Sequence, residues 1–153
     1  MTRWLSKEQQ KDWRSWIAAS TLLPYQLGKD LQTQHGLTIS DYEILVHLSE
    51  SPDRSMRMSE LADRVLLSRS RLTHQIDRME KAGLVARVSC PGDKRGQLAT
   101  MTDAGWKKLV TAAPDHVTNV RKHMLDILTP AEFDQLGKSL AKVAAHLKSL
   151  KSE

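Results

Sequence analysis

The chain has 153 residues, 40% hydrophobic and 27% charged, with a formal net charge of +5. That is enough for one domain with a real core and suits a soluble globular protein; no apolar run nears the roughly 20 residues a membrane span needs. MTRWLSKEQQ lacks the apolar centre of a secretory signal, and a single cysteine, Cys90, excludes an intrachain disulfide framework, so a reducing cytoplasm is the expected location.

Ser6 to about Gln34 reads as a long first helix. Ser6 and Gln9 have capping-box spacing, and Trp13, Trp16, Ile17, Ser20, Leu23, Leu27 and Leu31 recur with helical period. Pro24 predicts a kink inside it, and His35-Gly36 a stop at a left-handed cap. Ser40-Asp41-Tyr42-Glu43 is a Ser-x-x-Glu box that predicts a second helix to about Glu50, ended by Ser51-Pro52-Asp53. Met56-Arg57-Met58 fits a small edge strand. Ser59 to Leu66 predicts a short third helix with Leu61, Ala62 and Val65 inward.

After the Leu67-Ser68 turn, Ser68 caps a fourth helix to about Ala82. Leu72, Ile76 and Met79 keep its core spacing, while Arg69, Arg71, Thr73, His74 and Arg78 lie elsewhere on its surface. Residues 84–88 and 97–101 then read as two strands joined by a turn containing Pro91, Gly92 and Gly96. Thr102-Asp103 starts a fifth helix carrying Trp106, Leu109, Val110, Ala113, Val117, Val120, Met124 and Ile127, bent at Pro114. Thr129-Pro130-Ala131-Glu132 starts the last, which runs to about Lys148.

The fold class is therefore mainly α with a small β-hairpin, an α+β winged helix-turn-helix flanked by N- and C-terminal helices. A recognition helix followed by a basic hairpin is built to enter neighbouring grooves of a DNA duplex. The charge distribution agrees. From Arg54 to Gly96 there are ten basic and five acidic residues, an excess equal to that of the whole chain. Such a localised basic patch is the footprint of a polyanion partner. The flanking helices carry apolar stripes too wide to stand alone and need a partner.

These fragments resemble the MarR-type transcription regulators, and the resemblance runs from the first helix to the last. Its most specific part is the wing, Asp93-Lys94-Arg95 followed by Thr102-Asp103-Ala104-Gly105. Ser59-Glu60-Leu61-Ala62 and Arg78-Met79-Glu80-Lys81-Ala82-Gly83-Leu84-Val85 match the helix-turn-helix on either side. Met101 stands where the family usually has Leu, a volume-conserving change. Arg57 stands where Ser or Thr often caps the third helix.

The resemblance implies one domain, 1–153, with a DNA-binding lobe at 53–101 and dimerisation helices at 1–36 and 106–153. It implies a homodimer on double-stranded DNA, reading a pseudo-palindromic operator, with repression as the family default. Arg69 and Arg71, in the first turn of the recognition helix, suit guanine or phosphate. Thr73 and His74 reach thymine methyls or phosphates, and Ser68 and Ser70 suit phosphates. Arg78 serves DNA or, equally well, an ordinary salt bridge with Asp77 or Glu80. In the wing, Lys94 and Arg95 face DNA, Arg95 suits a narrow minor groove, and Asp93 is placed to hold its guanidinium extended.

The resemblance further implies a pocket for a small aromatic or phenolic effector. Candidates are Trp13, Trp16 and Ile17 of the first helix, Tyr42 and His47 of the second, and Trp106 of the fifth. No cofactor is expected. His35, His47, His74, His116, His123 and His146 lack metal-ligand spacing. Cys90 reads as a buried or strand-edge residue rather than a redox sensor. Neither a phosphate-binding loop nor a nucleophile elbow points to an enzyme. The competing reading is a winged-helix protein-interaction module without sequence-specific DNA binding.

Overall fold

The computed structural model describes residues 1–150, and every side chain among them except that of Lys94. Local signals set most element ends. Helix α1 spans Lys7–His35; the Ser6 hydroxyl accepts the Gln9 amide at 3.2 Å, and Gln9 Oε1 accepts the Ser6 amide at 3.0 Å. The helix continues unbroken through Pro24 and stops at Gly36, whose φ of +65° needs no side chain.

Helix α2 spans Ile39–Ser49, one turn-half earlier than the Ser40 box predicts. The cap is Thr38: its Oγ1 accepts the Asp41 amide at 3.1 Å, and Asp41 Oδ2 accepts the Thr38 amide at 2.9 Å. Two capping boxes overlap here, and burial chooses between them. Starting at Thr38 places Leu37 and Tyr42, both buried, at the two positions that staple a helix N-terminus.

A 3-10 turn at Pro52–Arg54 leads into β1 (Ser55–Arg57) and then α3 (Met58–Arg64). Leu66, at φ +56°, turns the chain, and Ser68 caps α4 (Arg69–Lys81) by accepting the Arg71 amide. Strands β2 (Val85–Cys90) and β3 (Asp93–Met101) follow, then α5 (Asp103–His123), a 3-10 turn at Leu125–Ile127 and α6 (Pro130–Ser149). The strands form one antiparallel sheet in the order β1-β3-β2, so the wing is braced by the edge strand that precedes α3.

The chain divides into two compact units, Met1–His116 and the part from Val117 onward. In the first, Leu61, Leu72, Ile76 and Met79 share one core with Met56, Val85, Ala99 and Met101 of the sheet. Leu31, Leu37, Ile44, Leu45 and Leu48 close it from α1 and α2, and Leu109 and Ala112 from α5. The lobe that carries the wing therefore draws its core from well outside residues 53–101. In the second unit, Thr129 and Glu132 cap α6 reciprocally, and Arg121 pairs with Asp126 at 2.8 Å. Helix α6 buries none of its own residues; Val143, Leu147 and Leu150 stand exposed.

Candidate nucleic-acid interface

Burial of Leu72, Ile76 and Met79 fixes the rotation of α4. That turns Ser68, Arg69, Ser70, Arg71, Thr73, His74 and Arg78 all to solvent. Not all of them are free. The Thr73 hydroxyl donates back to the Arg69 carbonyl at 2.9 Å. Arg78 donates to the Gln75 side chain and lies 4.0 Å from Asp41, while Gln75 itself donates to Asp41. The alternative reading of Arg78, an ordinary salt bridge with Asp77 or Glu80, does not hold: Arg87 on β2 engages both, through its guanidinium and through a 2.7 Å bond from its amide to Glu80. Sequence neighbours lost to a residue from the strand because α4 and β2 lie side by side.

The wing tip also differs from the sequence reading. Cys90 pairs with Asp93, so the turn is only Pro91-Gly92, with Gly92 at φ +76°. Ser89 pairs with Gln97, and Lys94, Arg95 and Gly96 bulge out opposite the Ser89-Cys90 step. The Lys94 side chain, a predicted DNA contact, lies outside the described ones. Asp93 does not grip the Arg95 guanidinium. Its Oδ1 accepts the Arg95 backbone amide at 3.0 Å, and its Oδ2 accepts Arg57 Nη1 at 3.3 Å. These bonds, with one from the Gly96 amide, hold its carboxyl below the usual range. The reason is reach: in a bulge, the nearest donor two residues on is the backbone, not the end of a long side chain.

Between α4 and the wing lies a groove of about 430 Å³, with Arg57, Arg69, Thr73, Asp93 and Arg95 on its walls. The eight arginines from Arg54 to Arg95 fall into two sets. Arg54, Arg57, Arg64, Arg78 and Arg87 each have a carboxylate within 4.0 Å. Arg69, Arg71 and Arg95 are exposed and have no acidic partner among the described residues. Sequence reasoning missed Arg57, Gln75 and Arg87. Arg57 alone left a sign, as the wrong residue type for a helix cap.

The proposed effector-pocket residues differ in exposure. Trp13, Trp16 and Ile17 stand exposed along α1, Tyr42 is buried against His116 with ring centroids 4.3 Å apart, and His47 is half-buried. Trp106 carries the Arg54 guanidinium over its ring. Cys90 is buried. Among the described residues, no group of three or more His, Cys, Asp or Glu is placed to hold a metal, and no helix is long and apolar enough to cross a membrane.

A capped, outward-facing helix and a bulged hairpin, with free arginines on both, define a winged helix-turn-helix protein. A profile described as the MarR family matches residues 35–96. AbsC, a MarR family transcriptional regulator from Streptomyces coelicolor, is 48% identical, the match covering 97% of this chain and 99% of that one, with a TM-score of 0.93. Sco3205, from the same organism and solved in complex with DNA, is 46% identical over 96% of this chain and 92% of that one, with a TM-score of 0.94. The HTH-type transcriptional regulator YkoM of Bacillus subtilis, described as uncharacterized, is 30% identical over 76% of this chain and 74% of its own length. The chain belongs to the MarR family of transcriptional regulators, a non-enzymatic family.

Proposed function

We propose that the chain binds duplex DNA sequence-specifically as a homodimer on a pseudo-palindromic operator, and represses transcription by covering a promoter. The split among the arginines carries this reading. A basic patch that served only solubility would have no reason to pair five arginines internally and leave free the three on the recognition helix and wing tip. Arg69 and Arg71 then meet base edges or phosphates in the major groove, with Ser68, Ser70, Thr73 and His74 beside them, and Arg95 enters the minor groove. Arg78 is the weakest member, since Gln75 and Asp41 already engage it. The complex of Sco3205 with DNA supports the same use of this fold.

The lobe at 53–101 reads the DNA in this proposal, and helices within 1–36 and 106–153 form the dimer. Exposed Trp13, Trp16, Ile17 and Leu22 on α1, and Val143 and Leu147 on α6, supply apolar surface for it. Family resemblance supports release by a small aromatic or phenolic anion bound near the α1 tryptophans and Trp106.

The test begins with selection of bound duplexes from a random pool, followed by binding measured across salt concentrations. The expected result is an enriched inverted repeat whose affinity falls steeply with salt, by about 0.9 log units per log unit of salt for each neutralised phosphate. Arg71→Ala with Arg95→Ala should abolish the preference, while sedimentation still shows a dimer with full helix content. No enriched sequence, or equal binding by the double variant, overturns the reading.

A further inference from the structure

We propose that Arg57, which lies outside the wing, is the positioning residue on which the wing's presentation of Arg95 depends. It acts by holding the Asp93 carboxylate in place. The inference rests on the DNA-binding reading above and identifies a contributor to it that no wing motif contains.

The bulge at Lys94-Arg95-Gly96 has no ladder partners of its own, because Ser89 and Cys90 pair with Gln97 and Asp93 on either side. What orders its backbone is the Asp93 carboxylate, which accepts the Arg95 amide through Oδ1. That carboxylate is itself held by a counter-charge and given room by a glycine. Arg57 Nη1 reaches Oδ2 at 3.3 Å. Gly96 leaves the space beside it empty: a Cβ there would fall 2.7 Å from Oδ2 and 2.9 Å from Cys90 Sγ. The side chain at 96 is absent where the carboxylate needs room, and the arginine at 57 supplies its counter-charge.

Position 57 makes this possible at a local cost. It is the N-cap of α3, where a Ser or Thr side chain would bond the helix amides, and Arg57 makes no such bond. Its side chain instead spans from the end of β1 to the wing, and both partners remain about half exposed. The electrostatics explain why a cation is needed there. Asp93 lines the same groove as Arg69 and Arg95, so without Arg57 a bare carboxylate would face the phosphates.

A double-mutant cycle tests this with a duplex recovered by the unaltered chain from a random pool. Arg57→Ala should weaken binding on the order of tenfold in the native background, but less than about twofold in a chain carrying Asp93→Asn. Arg57→Lys, which keeps the charge, should restore most of the loss and guards against a folding defect. Backbone amide exchange supplies the second readout: Arg57→Ala should speed exchange at Arg95 and Gly96 and leave Ile76 and Met79 of α4 unchanged. Equal losses in the two backgrounds would make Arg57 an independent phosphate contact and overturn the proposal. So would unaltered exchange at Arg95. If the unaltered chain enriches no duplex, the DNA reading fails, and the exchange measurement still decides whether Arg57 orders the wing.

Discussion

Arg54 places its guanidinium carbon 4.3 Å from the centre of the Trp106 ring and its Nη1 3.6 Å from the Asp103 carboxylate. One side chain thus joins the entrance of β1 to the first turn of α5, the helix that leaves β3. The backbone there is strained: Asp53 and Arg54 both sit at φ +53°, a left-handed conformation that costs a non-glycine residue about 1–2 kcal/mol. A cation over a half-exposed indole returns about 0.5–1 kcal/mol. Arg54→Ala should therefore lower stability by about 1 kcal/mol, seen as a lower urea midpoint at unchanged slope. Arg54→Lys should fall between, because an ammonium keeps the charge but not the planar face. An unchanged midpoint in both variants would show that the stack contributes nothing.

The space at Gly105 explains why a glycine closes the run Thr102-Asp103-Ala104-Gly105. A Cβ at that position would lie 2.1 Å from the Leu84 carbonyl oxygen and 2.9 Å from Met101 Cγ. The close approach is locked by Thr102, whose amide donates to Leu84 and whose hydroxyl donates to Gly83 at 2.6 Å while accepting the Gly105 amide at 3.0 Å. Gly105→Ala would push α5 away from the β2 entrance. The expected cost is about 3 kcal/mol or more, at the severe end for a single added methyl, with loss of the thermal transition as the readout. Gly137→Ala, whose Cβ meets nothing within 4 Å, is the control and should not destabilise.

His116 gives the chain a pH dependence. Its ring lies against Tyr42 in the first unit, its Nδ1 is buried with no hydrogen-bond partner, and burial lowers its pKa from the ordinary 6.5. The unfolded chain therefore binds the proton first as pH falls. Stability should be full above about pH 6.5 and decline below it until the folded histidine also protonates. His116→Phe should remove that part of the slope when urea unfolding is compared at about pH 7.5 and 5.5. Parallel slopes in the two proteins would contradict it.

Much of the fold was legible in the residues because its signals are local. Ser6, Ser68 and Thr129 cap the helices they were predicted to cap, and the glycine after α1 ends it. The start of α2 was misread because two capping boxes overlap within Thr38-Ile39-Ser40-Asp41-Tyr42-Glu43, and only burial of Leu37 and Tyr42 distinguishes them. Among candidate contacts, solvent exposure of Arg69, Arg71 and His74 followed from the spacing of Leu72, Ile76 and Met79. The partners of Arg78 did not, since they depend on which strand and helix lie beside α4.

By itself the sequence determined the order of elements, the outward face of α4 and the confinement of excess charge to the winged lobe. Periodicity, caps and charge are properties of residues close in the chain, so they survive without a fold. Only the tertiary structure decided which arginines are free. Arg57 meets Asp93, Arg87 meets Asp77 and Glu80, and Arg54 meets Trp106 because the sheet and helices bring distant positions within a few ångströms. An arginine's availability depends on what folding places beside it, and composition does not record that.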